Sequence, residues 1–270
     1  MNRIIRRKEY ENEGFGDGAK RVGVLGLSAG AGCTFVAEAL AHILAHEGKK
    51  AVTFLDGAGY MGSPGRGYTY DALGMEKRFA IRGFADVFEM LEQGKSVRKV
   101  RNIDEKINWL LPVPKDTGRR IGEREINRFA NIRKAYTAAP GDVIVCDLGT
   151  PEAGRNREAF YEILKDMDAV VAVIDPLPSA LLAGEKHLQI LKSMAETGEQ
   201  EFFFAVNRAN PGVGIHEIRR FLGIKPAAEI KACDLADIYA AEFACTLPIE
   251  FAPIRERIAE DARKLAAKIA

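Results

Sequence analysis

From Arg21 onward, apolar residues fall in short unbroken runs: Val22–Leu27, Ala51–Leu55, Ile107–Val113, Val143–Cys146, Ala169–Ile174 and Phe202–Val206. Runs without polar alternation suit strands that are covered on both faces. Between the first two runs, Val36, Leu40, Ile43 and Leu44 recur at helical spacing, and Gly48 ends that helix. Arg155–Lys165 and Ser179–Ala195 carry the same helical period. Helical crossovers make successive strands parallel. The pattern therefore predicts an α/β fold: a doubly wound, mostly parallel sheet with helices on both faces, formed by residues 21–270 as one domain. Residues 1–20 are polar and charged and are expected to be a flexible basic tail. Gly57 to Tyr70 holds five glycines and is expected to be a long mobile loop at the carboxyl end of a strand, where α/β sheets place their ligands.

Composition narrows the function classes. Lys plus Arg number 39 against 38 Asp plus Glu, so the net charge of +1 supplies no global field for nucleic acid or an acidic membrane. The arginines of the 115–124 stretch, Arg119, Arg120 and Arg124, are expected to form a solvated basic loop. Cys33, Cys146, Cys233 and Cys245 form no CxxC pair and have no histidine at zinc-ligand spacing, which favours a reducing cytoplasm over a disulfide framework or a zinc site. No run of about 18 apolar residues is present to span a bilayer. After Pro253, an apolar stripe of Ile254, Ile258, Leu265 and Ile269 is interrupted by Glu256, Glu260 and Asp261. Membrane contact through this helix is an open but disfavoured reading, and packing on the sheet is favoured.

The candidate chemistry lies between the first strand and the first helix, in Gly26-Leu-Ser-Ala-Gly-Ala-Gly-Cys-Thr34. Small residues there let the backbone wrap closely, and a helix N-terminus offers free N–H groups and a positive dipole end to an anion. In a phosphate-binding loop a lysine precedes the Ser/Thr and reaches the terminal phosphates, while the hydroxyl ligates magnesium. Here Cys33 holds the lysine position.

At these residues the chain resembles the MinD/ParA family of P-loop ATPases, whose loop Lys-Gly-Gly-x-Gly-Lys-Thr corresponds to Ser28, Ala29, Gly30, Ala31, Gly32, Cys33 and Thr34. The resemblance covers almost everything after residue 20. Asp147 resembles the family's Walker B carboxylate, with a switch glycine after it. Asp168 to Ser179 is similar to the next family strand and its Pro-Ser turn. Asn207 and Arg208 match the Asn-Arg that lies beside the adenine. The resemblance implies ATP or ADP with Mg as cofactor, a metal site at Thr34, Asp56 and Asp147, and a face-to-face homodimer. Altered loops of this kind occur among pilus-assembly localisation proteins of the CpaE/TadZ type, although the receiver-like N-terminal domain many of them carry is not expected here.

Both family lysines are replaced, by Ser28 and Cys33, and the carboxylate that helps orient the attacking water is replaced by Ala58, or by Gly57 if the alignment slips by one. A hydrogen bond to a charged group is worth about 1.5–3 kcal/mol, so each missing lysine weakens ATP binding roughly 10- to 150-fold. Loss of such a cation costs on the order of 10³-fold in turnover. The expectation is a degenerate, non-catalytic or nucleotide-sensing scaffold or positioning protein with an unidentified protein partner. Two alternatives stay open: a weak ATPase that borrows a charge such as Arg66 or Arg119, and an interaction domain that binds no nucleotide. Cys33 is expected to be a packed residue rather than a reactive thiol. Asp56 is expected to cap a turn more than to ligate metal, and Tyr60, Arg66, Tyr68 and Tyr70 are candidate anchors for a partner in a loop that is otherwise merely flexible.

Overall fold

A computed structural model describes residues 18–61, 68–74, 87–95, 106–112, 125–151 and 157–270. The apolar runs form strands β1 (Lys20–Gly26), β2 (Val52–Asp56), β3 (Ile107–Leu110), β4 (Val143–Gly149), β5 (Ala169–Ile174), β6 (Glu201–Ala209) and β7 (Ala228–Lys231). They join in one sheet of order β3-β2-β4-β1-β5-β6-β7, every pair parallel. The order reverses direction at β1, and the crevice above such a switch point is where ligands bind in open α/β sheets.

The helices are α1 (Cys33–His46), α2 (Gly57–Met61), α3 (Tyr68–Ala72), α4 (Val87–Glu92), α5 (Glu125–Ala138), α6 (Arg157–Leu164), α7 (Pro178–Glu196), α8 (Ile215–Leu222), α9 (Leu235–Phe243) and α10 (Ala252–Ile269). Alternate strand residues bury into two cores. Val143, Val145, Val171 and Val173 meet α1 and α10 on one side. Ile144, Cys146, Val170 and Ala172 meet α4 to α8 on the other. Covering on both faces is what the unalternated runs required.

Three expectations change. Gly57 begins a helical turn directly after β2 instead of a loop, and Tyr68–Ala72 is helical again; residues 62–67 lie outside the described residues. Asp56 explains the first turn, because its Oδ1 accepts from the Gly59 N–H at 2.6 Å and so caps the turn that glycines alone would not form. Tyr60 is an internal contact rather than a free anchor: its ring stacks on Phe88 with centroids 3.5 Å apart, and its hydroxyl accepts from Asn131 at 3.0 Å. Tyr70 is buried. Strand β6 runs three residues past the predicted Val206 and carries Asn207 and Arg208 within it. Val113, Arg66 and the 115–124 stretch with Arg119, Arg120 and Arg124 lie outside the described residues, as does the side chain of Tyr68.

The stripe of α10 is fully used. Ile254, Ile258, Leu265 and Ile269 are buried against α1, β7 and the turn at Pro248–Glu250. Among the described residues, no helix is long and apolar enough to cross a membrane.

Candidate nucleotide site

The loop leaves β1 at Gly26 and enters α1 at Cys33. Gly30 and Gly32 take φ of 75° and 81°, a left-handed backbone that glycine adopts without penalty. A side chain on Gly32 would meet Asn207 Nδ2 at 2.4 Å, whereas one on Gly30 would meet nothing within 4 Å among the described residues. The third glycine of the loop is thus a close approach, and the second opens outward. Ser28 is buried, Ala29 and Gly30 are exposed, and Ala31 is buried.

Register brings the carboxylates together. Asp56 and Asp147 are direct partners on β2 and β4. Against β1, Val24 pairs with Asp147 and Leu25 with Gly149, so Leu148 is an extra residue whose bulge turns the chain just after Asp147. Asp147 Oδ1 accepts from the Gly149 N–H at 3.1 Å, and its Oδ2 accepts from the Thr34 hydroxyl at 2.5 Å. Asp56 Oδ2 is buried with no hydrogen-bond partner among the described residues. Thr34, Asp147 and an orphaned carboxylate oxygen are a donor set that suits a hydrated magnesium ion. The residues fit that ion; the loop offers it no lysine-neutralised phosphate.

Cys33 is buried, and burial, aided by the neighbouring Asp147 charge, pushes its thiol well above the ordinary cysteine range. It stays protonated, so it is neither a cation nor a nucleophile. Burial raises Asp147 as well, and raises Asp56 to about 7 with the Asp147 charge adding to it. Ala58 faces the switch turn: a Cβ on Gly149 would lie 3.2 Å from its methyl. A hydrocarbon therefore stands where the resemblance would put a water-orienting carboxylate.

Two residues of this region escape a reading by motif. Glu38, one turn beyond Thr34, is buried, and burial pushes its carboxyl up to about 8, with the charges of Asp147, Asp56 and Glu242 adding. Its signal was an acid inside the apolar period Val36–Leu44, four residues from the loop threonine. Asp175, at the end of β5, bonds Arg208 at 2.6 Å, and Arg208 in turn donates to the Gly30 carbonyl at 2.9 Å. Asn207 donates to the Ala31 carbonyl at 2.9 Å. The sequence-predicted loop, Asp56, Asp147, Asn207 and Arg208 are thus all at the carboxyl end of the sheet. A cleft of about 680 Å³ lies at the other end, between Lys20, Lys49, Lys50, Gly141 and Ala270, and takes no part in this arrangement.

No protein family's sequence pattern matches the chain, and no curated protein matches it by sequence. Solved structures do. MinD in the MinC:MinD cell division complex of Aquifex aeolicus superposes with a TM-score of 0.66 at 15% identity, over 93% of this chain and 95% of that one. The chain has the MinD/ParA fold. The septum site-determining protein MinD of Pyrococcus horikoshii, complexed with Mg-ADP, gives 0.65 at 16% identity over 93% and 96% of the two chains. A putative plasmid partition protein of Borrelia burgdorferi, bound to AMPPNP, gives 0.64 at 13% over 93% and 100%. Ser28, Cys33 and Ala58, where the resemblance would put two lysines and a carboxylate, lie between or on elements that this chain forms intact.

Proposed function

We propose that this chain is a nucleotide-binding, non-hydrolysing protein of MinD/ParA fold that works in the cytoplasm as a scaffold or positioning protein. The observation that carries the reading is the pairing at the loop. Cys33, in the lysine position, is a buried neutral thiol beside Asp147, while Thr34 and Asp147 remain bonded to each other. The magnesium half of the site is kept and the cationic half is lost. Residues 28–34, with Arg208 bonded to their Gly30 carbonyl, would hold the phosphates of ATP or ADP, Asn207 would lie toward the base, and Thr34, Asp147 and Asp56 would hold magnesium, which would neutralise phosphate charge. The Pyrococcus and Borrelia proteins of the same fold hold Mg-ADP and AMPPNP. With Ala58 in place of a carboxylate, the chain has nothing there to orient an attacking water.

Titration with ATP and ADP, with and without magnesium, followed by calorimetry and phosphate release, tests this. Saturable binding without release is the expected result, and turnover near one per second would sink the reading. In that event magnesium-dependent release lost on Thr34→Ala or Asp147→Ala would point to a weak ATPase. The interaction-domain reading has one observation behind it. Asn207 and Arg208 bond to the loop's own carbonyls and keep its shape without a ligand. It requires no thermal shift at millimolar nucleotide.

The scaffold would act as a homodimer through the carboxyl ends of the strands and dock a protein partner, as MinD does MinC in the Aquifex complex. Light scattering that finds a strict monomer at high concentration, with and without nucleotide, would remove the dimer.

A further inference from the structure

One basic side chain bonds directly to the lysine-free loop, and the backbone is shaped to put it there. Strand β6 pairs with β7 at Val206–Glu229 and next at Ala209–Lys231, so Asn207 and Arg208 together oppose Ile230. Such a bulge re-aims the side chains it carries. Arg208 sits at φ 56°, a conformation uncommon for any residue with a Cβ. Its Nη1 donates both to the Gly30 carbonyl and to Asp175 Oδ2, at 2.9 and 2.6 Å. Its Nη2 is 3.9 Å from where a Cβ on Gly32 would stand. Asp175 is itself fixed, its Oδ1 accepting from the Leu177 N–H at 2.9 Å. The guanidinium therefore lies across the second and third glycines of the loop, half exposed, with Asp175 as its counter-ion.

We propose that Arg208 is the phosphate-recognising cation of this site, replacing the lysines absent at Ser28 and Cys33, with Asp175 holding it in place until a phosphate arrives. This deepens the nucleotide reading above and rests on it. A guanidinium presents five donors in a planar fork that matches phosphate oxygens two at a time, and it keeps its charge at any working pH. Only Nη1 is engaged in the bonds just described, and among the described residues nothing lies within 4 Å of where a side chain at Gly30 would stand, so these residues leave the outer side of the loop open to a ligand. Asn207, buried and bonded to Ala31, keeps the loop still while Arg208 exchanges partners.

The test is calorimetric titration of the full chain with inorganic pyrophosphate, ADP and adenosine. The variants are Arg208→Gly, Arg208→Lys and Asp175→Asn. Glycine is the truncation of choice because it accepts φ 56° without strain, and an unshifted melting temperature certifies its fold. Arg208→Gly should weaken pyrophosphate and ADP roughly 10- to 150-fold, the loss expected for one charge-assisted contact, and leave adenosine unchanged. Arg208→Lys should recover only part, and Asp175→Asn should tighten pyrophosphate by freeing the guanidinium. Equal ADP and pyrophosphate affinities in the wild type and Arg208→Gly would overturn the assignment and leave the nucleotide reading standing. Weakened adenosine with unchanged pyrophosphate would overturn it by moving Arg208 to the base. Pyrophosphate binding that needs Arg208 in a chain that binds no ADP would keep the cation and sink the nucleotide reading. No binding of any probe, by the wild type or Asp175→Asn, would overturn both.

Discussion

Along helix α1 the chain passes from one kind of interior into another. Its later turns bury Val36, Leu40, Ile43 and Leu44 against strand valines and the stripe of α10. Its opening turns put Cys33 and Glu38, both buried, and Thr34, half-buried, beside Asp147 and Asp56. The first interior is dry hydrocarbon in which every contact favours folding. The second gathers three buried carboxylates with no lysine from the loop, and burial raises the pKa of each at a cost to the charged form. The contrast explains how residues 28–34 can do without a lysine while the fold persists: the sheet and its apolar covers carry the stability, and the candidate site is carried by them.

The largest effect should come from removing α10. Burying four large aliphatic side chains contributes on the order of 10 kcal/mol gross, comparable with the 5–15 kcal/mol net stability of a whole domain. A chain ending near Leu247 should aggregate or melt far earlier, since residues 21–270 are expected to unfold as one unit. A truncated chain with an unchanged melting temperature, beside a full-length chain that sediments with anionic liposomes, would mean that the stripe serves a membrane instead.

Next in size is the restoration of charge at the polar end. Cys33→Lys should tighten ADP or ATP roughly 10-fold or more, since it returns a charge-assisted contact beside Asp147. Unchanged affinity in a folded variant would show that the loop no longer has a cradle's geometry.

Glu38 tests the cost of the buried acids. Its folded pKa, about 8, lies above the ordinary glutamate value of 4.5. Between those values the native state binds more protons than the unfolded state, so stability falls as pH rises from about 5 to 8 and is level above. Glu38→Gln keeps the shape and removes the titration. It should match the wild type near pH 5 and melt on the order of 10 °C higher at pH 8, given about 1.4 kcal/mol for each pH unit crossed and roughly 2–4 °C per kcal/mol for a chain of this size. A gap that did not change with pH would assign the effect to packing rather than to charge.

How far the sequence disclosed all this follows the same divide. Strands such as Ala169–Ile174 were legible because burial on both faces forces an unbroken apolar run, and the α10 stripe because a helix on a sheet needs one. The loop, Asp147 and the Asn207–Arg208 pair were legible as an ordered set. The helical turn at Gly57 was not, because five glycines mask a cap that depends on where Asp56 Oδ1 points. Nor were Glu38 and Asp175, whose roles come from neighbours far away in sequence: Glu38 feels the charges of Asp56 and Asp147 at the ends of β2 and β4, and Asp175 meets a residue displaced by the β6 bulge. Motif reading finds residues that act within their own segment and misses those that act across segments.

The smallest effect should separate charge from hydrocarbon within α10 itself. Arg263 reaches back to Glu47 just past the end of α1, its Nε and Nη2 donating to the two carboxylate oxygens at 2.5 and 3.0 Å. The geometry is bidentate, but both side chains are close to half exposed, and water and salt screen such pairs strongly. Ile258, on the same helix, is fully buried among α1 and the sheet. Ile258→Ala should therefore cost about 2–5 kcal/mol, the range for emptying a large aliphatic site in a core. Arg263→Ala should leave the melting temperature within the scatter of the measurement at physiological salt. Chemical denaturation of the two variants side by side checks this. If Arg263→Ala proved the more damaging, α10 would be held to α1 by its ion pair rather than by its stripe, and the division between a dry stabilising interior and a polar end would not describe this helix.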